Sequence, residues 1–157
     1  MTREISQAER AMRTLCVVDV ENCASTSDIS LERALLVQEA IREALPGVVM
    51  HVVGCSHRNA AAARFAFDRS RIVVRSGVDG ADLALIEVLE TERIERRFGR
   101  VVIASGDHIF VPVIKRLRKA GVEVEALSVE GQLSHELAWT CSKVRYLSVS
   151  NLEVGNV

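Results

Sequence analysis

Thr14-Leu-Cys-Val-Val-Asp-Val20 is the stretch that decides the fold. It is short and rich in β-branched residues, and it is apolar at successive positions until Asp19 interrupts it. A strand apolar on both faces is one covered by helices above and below, the pattern of a parallel sheet. Val101-Val-Ile-Ala104 repeats the pattern.

Working outward, short apolar runs alternate with longer amphipathic stretches. Ser30 has the chemistry of a helix N-cap, and Leu31, Leu35, Val37, Ile41 and Leu45 give the helix behind it an apolar stripe that Pro46-Gly47 ends. Strands are expected over 48–53 and 71–75, with an alanine-rich helix over 59–68 between them. A long helix is expected over 81–97, with Gly99 just past its end, where glycine is favoured. A further helix covers 110–120, with Pro112 in its first turn and Gly121 as terminator. Strands over 122–127 and 144–147 flank a short helix over 134–141 that carries Trp139, expected to pack inward. This alternation predicts an α/β fold with a doubly wound, mainly parallel six-stranded sheet, helices on both faces and strand order 3-2-1-4-5-6. Residues 1–13 read as an N-terminal extension, 14–148 as a single domain and 149–157 as a tail.

The composition agrees with one globular domain. The chain has 157 residues, 48% hydrophobic and 26% charged, with mean hydropathy +0.16, which excludes wholesale disorder. Its formal net charge is −1. A protein held to nucleic acid by bulk charge is more basic, so any such role must come from local patches. No apolar run approaches the ~18 residues of a membrane span. The opening Met1–Arg13 is charged, unlike a secretory signal, and a cytoplasmic location is expected. Cys16, Cys23, Cys55 and Cys141 form no CxxC pair, which argues against a zinc ribbon or a disulfide framework. Cys23 and Cys55 both follow strands, and their proximity would be fortuitous.

In a doubly wound sheet, ligands bind beyond the carboxyl ends of the strands where the order reverses. That point lies between the first and fourth strands. The first ends Asp19-Val-Glu-Asn22 and the fourth runs into Ser105-Gly-Asp107, while Asp79-Gly-Ala-Asp82 opens the long helix at the same edge. Carboxylates held close repel unless protons or a cation neutralise them, and oxygen-only ligands suit Mg²⁺ or Mn²⁺. Each residue has a plainer reading. Asp79, Asp82 or Asp107 could be a helix cap, and Glu21 reads as a solvated turn residue. The convergence of Asp19, Asp82 and Asp107 carries the signal. Neither GxGxxG nor GxxxxGK[ST] occurs, which excludes the common dinucleotide and P-loop sites. Asp19-x-Glu21 resembles the nucleophile motif of haloacid-dehalogenase-type phosphatases, but no lysine precedes Asp107 as that pattern requires.

Val17-Val-Asp-Val-Glu-Asn22, Gly77-Val-Asp-Gly-Ala-Asp-Leu-Ala-Leu85 and Val102-Ile-Ala-Ser-Gly-Asp-His-Ile-Phe-Val-Pro112, in that order, resemble the NYN domain of the PIN-like nuclease superfamily. The resemblance spans about Leu15 to Leu147. It implies a Rossmann-like, PIN-like fold and a metal-dependent ribonuclease that leaves a 5′-phosphate and a 3′-hydroxyl. By motif, Asp19, Asn22, Asp82 and Asp107 match the catalytic positions, and Asp19, Asp82, Asp107 and the adjacent Asp79 are the metal candidates. His108 and Ile109 stand where many relatives carry a small residue and a second aspartate. That departure keeps alive a non-catalytic RNA- or protein-binding module, with a small nucleotide phosphatase as a third reading. Glu87 is a weaker candidate for a late acid.

The chemistry implied is metal-assisted phosphodiester hydrolysis with Mg²⁺ or Mn²⁺. Ser105 and Asn22 are expected to orient water or a phosphate oxygen, and His108 to touch phosphate. RNA, single-stranded by expectation, needs cations near the acids. Arg58 and Arg75, with His57, flank that edge, and Arg64, Arg69, Arg71 and a basic stretch from Arg93 to Lys119 add to the rim, although Lys115 to Lys119 also read as a helix's dipole-complementing last turn at the opposite edge. At 4% aromatic residues a base-stacking platform is not expected. A homodimer is left open.

Overall fold

The computed structural model describes residues 3–148; the tail expected at 149–157 lies outside them. Six parallel strands run in the order β3-β2-β1-β4-β5-β6, as the sequence predicts. They are β1 (Thr14–Asp19), β2 (Met50–Cys55), β3 (Arg71–Val74), β4 (Arg100–Ala104), β5 (Glu123–Ser128) and β6 (Lys143–Tyr146). The helices are α1 (Gln7–Ala11), α2 (Val20–Ala24), α3 (Leu31–Ala44), α4 (Ala60–Ala66), α5 (Gly80–Thr91), α6 (Ile94–Arg97), α7 (Val111–Lys119) and α8 (His135–Thr140).

The continuous apolar strands divide their side chains between two cores, because successive residues point to opposite faces. Cys16 and Val18 of β1 and Val102 and Ala104 of β4 join the core beneath α2, α3 and α4. Leu15 and Val17, with Val101 and Ile103, join the core beneath α5, α6 and α7. Val18 pairs with Ala104 and with Val53, so the ends of the central strands are in register at one edge. One contact sets α5 close to that edge. A Cβ on Gly54 would lie 2.7 Å from Leu85 Cγ and 2.9 Å from the Ala81 carbonyl oxygen. Glycine there lets the start of α5 sit directly on β2, next to the end of β1.

Local details depart from the sequence reading. The helix expected over 81–97 is two, α5 and α6, separated where Arg93 takes a left-handed backbone (φ 52°). A short helix, α2, begins at Val20, where the first strand was expected to continue. The buried face of α3 is Ala34, Val37, Ala40 and Ile41, whereas Leu31 and Leu35 are 42% and 41% exposed. Small alanines let α3 lie close to the sheet, and that closeness selects the face. Trp139, expected to pack inward, is 86% exposed, because α8 buries Leu137 and turns position 139 outward. Residues 7–11 form α1, capped by Ser6 and Glu9 acting reciprocally. Arg10 donates to the Glu95 carbonyl, and the Arg13 carbonyl accepts from Gly99 N at 3.2 Å.

Candidate metal centre

Asp19 ends β1 and Asp107 follows β4, so parallel strands in register deliver both to one edge. Asp82 arrives there through the close seating of α5. All three line one cleft of about 240 Å³, together with Glu21, Asn22, Asp79 and Arg75. One carboxylate oxygen each from Asp79, Asp82 and Asp107 lies within 4.8 Å of the others. Asp19 is not in that trio. Its carboxylate accepts from Asn22 N (3.3 Å) and Ser105 Oγ (3.2 Å), and it is hydrogen-bonded to Asp82.

The plainer readings are partly realised. Asp19 caps α2 and Asp107 caps the turn at His108–Phe110, accepting from Ile109 N at 3.0 Å. Asp79 caps nothing with its side chain; it precedes α5 in a left-handed conformation (φ 55°), exposed at the mouth. Asp82 sits in the first turn of α5 at 7% exposure, and no N–H or hydroxyl donor among the described residues reaches its buried Oδ1. A buried carboxylate oxygen left without a donor is costly. Burial, then the hydrogen bond with Asp19, then the charges of Asp19, Asp107 and Asp79 push the Asp82 carboxyl up to about 9. Burial likewise raises Asp19, against the pull of its hydrogen bonds to Asp82, Asn22 and Ser105. Two protonated-leaning acids, a donorless oxygen and an all-oxygen donor set fit a hard divalent cation.

The other predicted residues fall in different places. Asn22 Oδ1 accepts from Gly106 N at 3.0 Å, tying the end of β1 to the loop after β4. Ser105 is fully buried beneath the cleft, bridging Asp19 and the Asp107 backbone N–H (3.2 Å). Gly106 is confined by its neighbours, since a Cβ there would lie 2.1 Å from the Gln132 carbonyl oxygen. His108 is exposed, with Nδ1 3.5 Å from Asp107 Oδ1. Arg75 lines the cleft, whereas Arg58 is exposed on the turn after β2 and does not. His57 Nδ1 meets Ser76 Oγ at 2.7 Å. Glu87 is exposed on α5 away from the cleft. Cys23 and Cys55 are buried free thiols, Cys23 Sγ donating to the Ala104 carbonyl.

Glu21 differs from its sequence reading. It is half-buried and accepts from Ser56 N (2.8 Å) and Asn59 Nδ2 (2.7 Å), which pins the turn after β2 to the rim. Its partners lie 35 and 38 residues away, so only its place at the strand end, two residues past Asp19, signals it.

The charge imbalance has a measurable consequence. An acid whose folded pKa is raised binds a proton that the unfolded chain has already released. Its contribution is therefore fully present below the unfolded value near 4 and is lost as pH rises towards about 9. Without metal, the melting temperature should fall from pH 5 to pH 8.5 more steeply in the wild type than in Asp82→Asn. Mg²⁺ or Mn²⁺ at a hundredfold over Kd should add about 2.7 kcal/mol, roughly 5–10 °C for a chain this size. The gain should grow with pH as fewer protons must be displaced. Melts across pH with and without metal read both effects; an equal metal shift in Asp82→Asn would exclude Asp82 as a ligand.

A protein of unknown function from Vibrio parahaemolyticus RIMD 2210633 has a similar crystal structure, with TM-score 0.64 and 16% sequence identity. The match covers 93% of this chain and 98% of that one, and it establishes likeness of fold alone. No curated protein matches the sequence. The NYN domain family model matches residues 13–148, from just before β1 to just past β6, and so takes in every strand and every acid of the cleft. With its sheet order and its carboxylates as the family resemblance implies, the chain belongs to the NYN domain family, which implies a nuclease-like superfamily.

Proposed function

We propose that this protein is a Mg²⁺- or Mn²⁺-dependent ribonuclease that hydrolyses phosphodiesters of single-stranded RNA. The observation that carries the reading is the donorless, buried Oδ1 of Asp82 beside the carboxylates of Asp79 and Asp107. A structural cluster of acids would be expected to satisfy such an oxygen from its own N–H and O–H groups.

Asp79, Asp82 and Asp107 would hold the ion. When bound, a divalent cation supplies Lewis acidity, lowering the pKa of water and offsetting charge on the phosphoryl oxygens. Asp19 orients Asp82 through the hydrogen bond between their carboxyl groups. Ser105 acts from beneath as a positioning residue, holding Asp19 and the Asp107 backbone at once. Asn22 locks the loop that carries Asp107 through Gly106 N, leaving its amide nitrogen for a phosphate oxygen. Arg75, at the wall of the cleft, offers a planar fork for the phosphate. His108 and Arg58, both exposed close to this edge, are placed to meet the RNA strand outside the cleft.

The test is cleavage of a labelled single-stranded RNA in Mn²⁺, run beside a generic phosphomonoester and beside EDTA. Metal-dependent cleavage of RNA with the monoester untouched is the expected result. Hydrolysis of the monoester alone would replace the reading with a phosphatase, and binding of RNA with no cleavage would replace it with a binding module.

A further inference from the structure

The arginines expected to rim the acids lie mostly at the other end of the sheet. Arg10 precedes β1, Arg93, Arg96 and Arg97 precede β4, and Arg69 and Arg71 precede or open β3. The carboxylates of the cleft all follow strands or open α5, so the two charge clusters are separated by the length of β1, about 20 Å for six residues. Two clefts larger than the acidic one mark this end. One, of about 980 Å³, is lined by Arg3, Arg10, Arg93, Arg96 and Arg97, with Glu92 among them. The other, of about 700 Å³, is lined by Arg42, Arg69 and Arg71, with His51, Phe67 and one acid, Asp68. They adjoin, because Arg71 of one and Glu92 of the other are paired at 2.7 Å.

Helix electrostatics explain part of this belt. Arg42 stands in the last turn of α3, and Arg96 and Arg97 in the last turn of α6, where cations complement the dipole. Arg10 likewise stands in the last turn of α1, and that account does not reach Arg3, Arg69 or Arg93. Glu4 and Glu92, the two acids of the larger cleft, do not balance its five arginines, and Glu92 is already shared between Arg71 and Arg97. Arg93 and Arg96 are exposed, and neither side chain has a carboxylate or hydrogen-bond partner among the described residues. Arg93 also holds a left-handed backbone that costs an L-residue roughly 1–2 kcal/mol and glycine nothing.

We infer that the two adjoining arginine-lined clefts at the amino-terminal edge of the sheet form a second RNA-binding surface, which grips the sugar–phosphate backbone of a strand at a distance from the acidic cleft. Guanidinium forks suit phosphate oxygens. The larger cleft has no aromatic lining, so it reads charge and spacing rather than bases. The choice of RNA as the polyanion rests on the proposed ribonuclease reading; the cationic surface itself does not.

The experiment measures binding of a fluorescein-labelled 20-nucleotide oligouridylate by anisotropy in EDTA, where metal-dependent cleavage cannot intervene. The wild type is compared with Arg93→Gly/Arg96→Gln and with Lys115→Gln, an exposed charge outside both clefts. A single-strand phosphate contact contributes about 0.7 to the salt slope, hence about fivefold in affinity at 0.1 M salt. The double variant should bind about twentyfold more weakly, with the slope reduced by about 1.4. Lys115→Gln should stay within about twofold of wild type, since it forfeits no such contact. Glycine suits the backbone at position 93, so the variant should melt no lower than wild type. Arg69→Gln, in the neighbouring cleft, repeats the test at a second position and should cost about fivefold. Affinities equal to that of Lys115→Gln for both variants would overturn the inference. So would oligoglutamate binding that depends on the same arginines and exceeds that of oligouridylate, which would assign the surface to an acidic protein. Arginine-dependent binding without cleavage in Mn²⁺ would refute the ribonuclease reading and leave this surface standing; cleavage without arginine dependence would do the reverse.

Discussion

Asp107→Asn is expected to lower metal-dependent RNA cleavage by about 10²–10³-fold, the usual cost of losing one group that stabilises transition-state charge, while the fold survives. The substitution separates the cap that Asp107 forms from the ligand role proposed for it. As a cap, Asp107 needs only an oxygen to accept from Ile109 N, and asparagine supplies one as well as aspartate does. As a ligand it needs negative charge, which asparagine lacks. Removing that charge also relieves part of the field that raises Asp82. The metal-free melting temperature should therefore hold or rise while cleavage collapses and the metal-induced shift shrinks. Single-turnover cleavage at matched protein concentration, with melts on the same samples, reads all three. Equal cleavage rates for variant and wild type would remove Asp107 from the site.

Glu125→Ala should have the largest effect on stability, at a position remote from the cleft. Glu125 is on β5, 3% exposed, and accepts from Arg100 Nε (3.0 Å) and Nη2 (2.6 Å) and from Arg145 Nη2 (3.3 Å). One carboxylate thus ties β4, β5 and β6 together. Alanine would leave two part-buried guanidinium groups without their carboxylate partner. Breaking a buried pair costs 3–5 kcal/mol. Because the Arg100 and Arg145 side chains keep 29% and 31% exposure, the lower end, about 3 kcal/mol, applies. That corresponds to a fall of roughly 6–12 °C in melting temperature. Urea unfolding measures it, and a loss under about 1 kcal/mol would show the triad to be solvated in practice.

The same carboxyl carries a pH signature of opposite sign to the one at the cleft. Burial raises its pKa, but hydrogen bonds from Arg100 and the charges of Arg100, Arg145 and Lys143 outweigh burial and hold it below the usual carboxylate range. Its contribution is therefore present above the unfolded value and lost as pH falls through the folded one. Acid should destabilise the wild type more steeply than Glu125→Gln, whereas alkali draws on Asp82.

Metal binding at the cleft and capping within it are not rival explanations. Asp107 caps the turn at His108–Phe110 and also stands in the close carboxylate trio, since a strand that feeds a helix or turn ends where backbone N–H groups are unpaired. That dual use makes cap-preserving substitutions such as Asp107→Asn informative.

By itself the sequence determined the parallel sheet and the central place of its first and fourth strands, because the evidence is local: runs apolar on both faces in Leu15–Val18 and Val101–Ala104 require cover on both sides. It also placed Asp19 and Asp107 at one edge, since both directly follow such runs and parallel strands share a direction. What only the tertiary structure decided are relations between distant residues. The hold of Glu21 on Ser56 and Asn59 crosses the gap between β1 and β2, and no periodicity within residues 14–24 encodes it. The outward turn of Trp139 follows from which face α8 sets against the sheet, and a six-residue helix has too few positions to declare a face. The break at Arg93 uses a left-handed backbone that a propensity reading assigns to glycine, and it turns the chain so that Arg93 and Arg96 face the cleft beside α1. Which of four aspartates form the close trio was likewise decided by the seating of α5 on Gly54, which brings Asp79 and Asp82 towards Asp107 and leaves Asp19 outside the trio, hydrogen-bonded to Asp82. Local sequence carries periodicity and punctuation; the partners of a side chain depend on where the rest of the chain has gone.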